Sequence, residues 1–295
     1  MNSRFELPLG CRRYPPQLAQ SVRPPKVLFG IGDPAALVPG LAIIGSRKAT
    51  PYGLTCARRF ARLAAESGVT VISGAAMGCD LAAQAAALDV GAPTVAVLGC
   101  GADIDYPRRA SDLLATIRHG RGAVVSELQW GVPPLPGHFP ARNRIIAGLA
   151  SAVLVVEAAL PSGTFSTADS ALDSGRDVLA VPGSILYAGS AGSNRLIRQG
   201  AAPITCDDDL LDALADAGLL PTGATPAGAR PNGSPAVPSG NPLLEALRAH
   251  PMSPEDACDA LQMRIPDLLA ALARLEAAGL IARHSDGRYG PCAPH

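Results

Sequence analysis

The sequence predicts an α/β protein with a mainly parallel sheet covered by helices on both faces, followed across a linker by a small helical domain. Three observations carry this. Between residues 41 and 205 short apolar runs alternate with helix-compatible stretches, the pattern of parallel strands joined by crossover helices. From about Ala217 the stretch AGLLPTGATPAGARPNGSPAVPSGN is crowded with Pro, Gly, Ala, Ser and Thr and almost without charge, which reads as a flexible linker. Beyond it stand three helical segments and a turn-centred ribbon. The expected boundaries are residues 1–215 for the α/β domain, 216–240 for the linker and 241–295 for the terminal domain.

The strand runs are LAIIG, VTVIS, TVAVLG, GAVVSE, AVLVVEA, RDVLAVPG and APITC. They are too short and too β-branched for helices, and most precede sequence such as ARRFARLAAESG or LAAQAAALDVG that suits one. The residues just after the runs are small: Gly45-Ser46-Arg47, Ser73-Gly74, Gly99-Cys100-Gly101, Ser162-Gly163-Thr164 and Pro182-Gly183-Ser184. Nearly all lie at the carboxyl ends of strands. Ligands bind at that edge of an open parallel sheet, where helix amino termini offer free N–H groups to anions. In the terminal domain NPLLEALRAH, SPEDACDALQ with Ser253 or Pro254 at its start, and IPDLLAALARLEAAGLI read as helices ahead of ARHSDGRYG, a winged-helix order. The charges of the third helix, Asp267, Arg274 and Glu276, favour protein contact or stability over entry into a major groove.

Composition bounds the function. The 295 residues are 48% hydrophobic, enough for a sizeable core. No run approaches 18 uninterrupted apolar residues, and MNSRFELPLGCRRY lacks the apolar stretch of a secretory signal, so a cytoplasmic protein with no membrane partner is expected. Seven cysteines without a C-x-x-C pair support neither a disulfide framework nor a zinc site. The net charge of zero hides a division: residues 1–205 carry 19 Lys+Arg against 13 Asp+Glu, and residues 206–295 carry 6 against 12. The first part attracts phosphates and the second does not.

LAIIGSRKATPYG, residues 41–53, opens like the strand and phosphate turn of a dinucleotide site. Laying G-x-G-x-x-G on Gly45 puts Arg47 and Thr50 where the second and third glycines belong. The second glycine is what lets backbone touch a pyrophosphate. A nicotinamide cofactor is therefore not expected. No Walker lysine appears either, and no cofactor or metal is expected at all.

Several ordered motifs resemble those of the bacterial DNA-processing protein A family, also called Smf: AIIGSRKATPYG, SGAAMGCDLAAQAAAL, AVLGCGADIDYP, SELQWG, FPARNRIIAGLA, VVEAALPSGTFSTA, AVPGS and GSNRLIRQGA. The resemblance runs from Tyr14-Pro15 to about Leu211. It implies an extended Rossmann-like domain that forms a homodimer, with a winged helix behind it. It also implies a protein, not an enzyme, that binds and protects single-stranded DNA in natural transformation and helps load the RecA recombinase. Cys79 stands where the family usually has isoleucine, and Phe165-Ser166 replaces Leu-Ile. With 13 residues ahead of Tyr14, the helical domain that many relatives carry in front is expected to be missing.

On that reading Arg47 makes physical sense, because one phosphate of a strand passing over the surface needs a donor that reaches outward. In FPARNRIIAGLA the cluster Arg142-Asn143-Arg144 lies between Phe139 and the apolar Ile145, Ile146 and Leu149. Arginines can clamp phosphates while Phe139 offers a stacking face, as in sequence-tolerant single-strand binders. Gly45, Ser46, Ser73, Gly74, Ser162, Gly163 and Thr167 are expected to add hydroxyl and backbone donors, with Asn194 joining them. Helix capping or internal ion pairing is the alternative use of each. The rival function is a nucleoside monophosphate phosphoribohydrolase, whose P-G-G-x-G-T-x-x-E motif PSGT resembles. Aligned on Gly163-Thr164, Thr167 falls where the glutamate belongs, which leaves only Glu127 or Glu157 to stand in.

Overall fold

The computed structural model describes residues 3–220, 241–284 and 286–291. The linker expected over 216–240 lies, from residue 221 on, outside the described residues. The chain divides into an α/β unit and a smaller C-terminal unit.

The α/β unit runs β1 (Arg4–Pro8), α1 (Pro16–Ala19), β2 (Val27–Gly32), β3 (Gly40–Ile44), α2 (Pro51–Glu66), β4 (Thr70–Ser73), α3 (Cys79–Asp89), β5 (Thr94–Val97), α4 (Ser111–His119), β6 (Ala123–Ser126), α5 (His138–Leu149), β7 (Ala150–Val155), α6 (Thr164–Asp173), β8 (Asp177–Ala180), α7 (Ala191–Arg198), β9 (Ala202–Pro203) and α8 (Asp207–Asp216). Its strands form one sheet in the order β1-β2-β6-β5-β4-β3-β7-β8-β9. The seven strands from β6 to β9 in that order are parallel and correspond to the seven runs read from the sequence. β2 adds to β6 antiparallel, and β1 to β2. Sequence reading missed both, since VLFGIG is broken by glycines. Gly30 is there because the Phe5 ring of β1 lies on it: a Cβ would come within 2.2 Å of that ring.

Strand periodicity divides the core. In β5, Val95 and Val97 pack on one face with Ile145, Ile146 and Leu149 of α5. Ala96 and Leu98 pack on the other with Leu114 and Ile117 of α4. Burial on both faces explains why these strands are continuous apolar runs instead of alternating ones.

One feature of the topology places the site. From β3 the chain steps one way through β4, β5 and β6, and from β7 it steps the other way through β8 and β9. β3 and β7 are neighbours, with Ile44 opposite Val155. The connections leaving their carboxyl ends therefore diverge and open a crevice between them.

The C-terminal unit holds α9 (Pro242–Ala249), α10 (Pro254–Leu261), α11 (Ile265–Ala277) and the antiparallel pair β10 (Ala282–Arg283) and β11 (Tyr289–Gly290). Its core is Leu243, Leu244, Leu247, Leu268, Leu272, Leu275 and Ile281. Asn241 caps α9 by accepting from the Leu243 and Leu244 N–H groups, and Ser253 caps α10 through Asp256 N–H. This is the winged-helix order. On α11 the exposed face carries Ile265 and Leu269, and Arg264 is held by Asp267 at 2.8 Å. Among the described residues no helix is long and apolar enough to cross a membrane.

Candidate functional site

The crevice beyond β3 and β7 is a groove of about 890 Å³. Its floor is the turn Ile44 to Lys48. Its walls come from one face of α5, from the amino-terminal end of α6 and from the loop at Tyr187 to Gly189.

The β3 turn is built by close packing against α3. A Cβ on Gly45 would fall 2.6 Å from Cys79 Sγ, and one on Gly78, at φ +84, would fall 2.1 Å from the Ser46 carbonyl. Gly45 is thus required by the neighbouring helix start. The Cys79 N–H donates to Ser46 O at 3.2 Å, and burial pushes the Cys79 thiol well up, so it is an inert packing group. With the turn pinned from below, Arg47 and Lys48 project from it, both exposed. Among the described residues no carboxylate pairs with either. Arg47 instead holds its guanidinium carbon 5.5 Å from the centroid of the Phe139 ring.

Helix geometry sorts the α5 cluster. Phe139, Arg142, Asn143 and Ile146 line the groove, a spacing of 3, 1 and 3 that keeps one face of a helix. Arg144 is off that face. It forms a bidentate ion pair with Glu127, at 2.7 and 2.6 Å, and also donates to Ala141 O at 2.8 Å. The expectation that Arg144 clamps phosphate in the groove is corrected accordingly: its fork is occupied by a carboxylate. Arg142 lines the groove yet is only 4% exposed. Its Nη1 donates to Gly74 O at 2.9 Å and to Val97 O, and its Nε to Asn143 Oδ1 at 3.3 Å. Burial pulls this guanidinium down to about 10, with Asp80 opposing the shift. Asp80, buried as well, is raised by desolvation against the pull of Arg142, and accepts from Gly74 N–H at 3.1 Å. Arg142 therefore remains charged at neutral pH but ties β4, β5 and α5 together; it does not reach outward as expected.

The other expected donors divide similarly. Ser162, Gly163 and Thr167 line the groove at the start of α6. Asn143 fixes that start by donating to Ser166 Oγ at 2.7 Å and Gly163 O at 3.4 Å. Ser73 is fully buried and donates to Ile43 O at 2.6 Å. Gly74 lines only a small adjoining cavity, where the Arg142 guanidinium lies so close that a Cβ would meet it at 2.7 Å. Asn194 is spent on Gly183, accepting from its N–H at 3.1 Å and donating to its O at 2.9 Å. Ser73, Gly74, Arg144 and Asn194 thus do not join the groove.

Sequence reading missed Lys48, Tyr106 and the Tyr187 loop, all in the lining. Lys48 was visible beside Arg47. Tyr106, in the motif ADIDYP, reaches the site only because its loop folds back onto α5, where its ring lies 5.4 Å from that of Phe139. Of the two carboxylates weighed for hydrolysis, Glu127 is bound to Arg144 and Glu157 is 2% exposed in the groove wall. Thr167 stands in the lining where that chemistry would place its acid. Among the described residues no group of three His, Cys, Asp or Glu is placed to hold a metal ion.

Comparison with known proteins follows the same division of the chain. The profile of the DNA recombination-mediator protein A family matches residues 7–215, and that of the DprA winged helix domain matches residues 227–287. The chain is 46% identical over 209 residues to Protein Smf of Escherichia coli (strain K12), covering 70% of this chain and 56% of that protein. It therefore spans little more than half of that relative's length. With DNA processing protein DprA of Streptococcus pneumoniae it shares 41% over 199 residues, 67% of this chain and 70% of that one. The X-ray structure of the S. pneumoniae protein superposes with a TM-score of 0.67 at 39% identity, over 70% of this chain and 73% of that one. DNA processing protein A from Helicobacter pylori, solved for its single-stranded DNA binding mode, superposes with a TM-score of 0.65 at 29% identity, over 73% of this chain and 99% of that one.

Proposed function

Because the chain belongs to the DNA recombination-mediator protein A family, the DprA or Smf proteins, we propose that it binds single-stranded DNA in the groove at the carboxyl ends of β3 and β7, as a carrier and not a catalyst. The observation that carries this is the pairing of exposed, unneutralised Arg47 and Lys48 with the Phe139 and Tyr106 rings in one groove wall. Cations hold successive phosphates and aromatic rings take bases of any identity, which is how strands are bound without sequence readout. Gly45, Ser46, Ser162, Gly163 and Thr167 supply the small, polar floor along which a backbone can run. Arg142 and Asn143 hold that floor in shape.

Family membership further supports a role in natural transformation. In it the chain acts in the cytoplasm as a homodimer, protects incoming strands and passes them to the RecA recombinase. A gel shift with single-stranded and duplex oligonucleotides of equal length, at two salt concentrations, tests the binding. Single strands are expected to bind more tightly, with affinity falling steeply as salt rises; equal or preferential duplex binding overturns the reading. Light scattering with and without RecA tests the assembly.

A further inference from the structure

We propose that Tyr106, and not Phe139, is the ring on which a nucleobase stacks, with Phe139 serving as the support that holds it. This rests on the single-strand reading of the groove and assigns one subsite within it.

Phe139 is engaged on several sides. One ring edge lies on the backbone of Gly99, so closely that a Cβ there would fall 2.8 Å from Phe139 Cδ1. The Arg47 guanidinium carbon sits 5.5 Å from its centroid, within the range of a cation held over an aromatic face. Tyr106 packs against it at 5.4 Å with the planes 37° apart, the separation of two aromatic rings in direct contact. A base inserted between the two would need near-parallel rings about 7 Å apart, two stacking steps of about 3.4 Å. The cavity behind them, lined by Gly74, Met77, Leu98 and Gly99, holds only about 80 Å³. That is room for two or three waters at about 30 Å³ each, not for a base.

Tyr106 has what Phe139 lacks. It is 40% exposed, lines the same groove as Arg47 and Lys48, and its hydroxyl has no hydrogen-bond partner among the described residues. Its outward face is the accessible π surface of the pair. Phe139 then does two jobs from beneath: it sets the Tyr106 ring and steadies the Arg47 guanidinium, so that phosphate and base are presented with a fixed offset.

The test compares Tyr106→Leu, Tyr106→Phe and Phe139→Leu on oligothymidine and on an abasic strand of the same length, at one salt concentration. Tyr106→Leu is expected to weaken oligothymidine binding about five- to 150-fold and leave the abasic strand unchanged, while Tyr106→Phe matches wild type. Phe139→Leu is expected to weaken both strands together. Tyr106→Trp in a Trp130→Phe background adds a direct reading: its emission falls on oligothymidine and not on the abasic strand. A Tyr106→Leu variant that loses equally on both strands, or on neither, overturns the assignment, as does a base-dependent loss confined to Phe139→Leu. Wild-type protein that binds neither strand overturns the groove's function as well, which separates the two failures.

Discussion

Arg47 lies over Phe139, its guanidinium carbon 5.5 Å from the ring centroid, with no carboxylate paired to it among the described residues. The charge is thus oriented by a neutral surface that does not cancel it. Arg47→Ala should weaken binding about equally for every sequence and make the dependence of log affinity on log salt shallower by about 0.7, the share of one phosphate contact on a single strand. A folded variant with an unchanged slope excludes the contact.

Arg142 and Arg144 are two residues apart and predict different failures. Arg142→Met removes a buried cation that Asp80 needs, so it should cost about 3–5 kcal/mol of stability in denaturant titration. Arg144→Met breaks a pair whose side chains are 20% and 24% exposed and should cost about 1 kcal/mol or less. Neither should change the salt slope of binding when measured on folded protein. A slope loss in Arg144→Met would mean that the arginine leaves Glu127 for a phosphate.

Alkaline pH should reveal Tyr14. Its hydroxyl donates to Pro25 O at 2.8 Å, and burial raises its pKa from 10 to about 12. Between those values the unfolded chain ionises while the folded one keeps its proton, so the native state binds more protons and stability falls as pH rises. The fall should approach about 1.4 kcal/mol per pH unit from this group. Tyr14→Phe should flatten the stability curve between pH 10 and 12 while losing about 1 kcal/mol at neutral pH with the hydrogen bond. An unchanged alkaline slope would show that Tyr14 is accessible in the folded state.

A chain ending at Leu220, after α8, should keep most single-strand affinity, because every groove residue lies upstream. The removed residues belong to the acidic part of the sequence, which carries 12 Asp+Glu against 6 Lys+Arg from residue 206 on. Their loss should leave binding equal at high salt and slightly tighter at low salt. The exposed α11 face, with Ile265 and Leu269, is apolar where a duplex reader needs cations. A large loss of duplex binding on truncation would assign that helix to DNA after all.

The sequence by itself determined the seven parallel strands, because residues buried on both faces must be apolar throughout and leave contiguous runs such as TVAVL and AVLVV. It determined the helix starts at Asn241 and Ser253 too, where a capping side chain acts within a few residues. It also marked Arg47, since a charge in a phosphate turn breaks a local rule. Tertiary structure alone decided which members of Arg142-Asn143-Arg144 face the groove: a helix turns about 100° per residue, and only the sheet beneath says which side is inside. It decided that Ser73 and Asn194 are consumed by the carbonyl of Ile43 and the backbone of Gly183, partners 30 and 11 residues away. And it brought Tyr106 onto Phe139, 33 positions apart, by a loop folding over the edge of the sheet. Local chemistry is written in spacing; the partners of a polar or aromatic side chain are set by whichever distant groups the topology delivers, and those no spacing records.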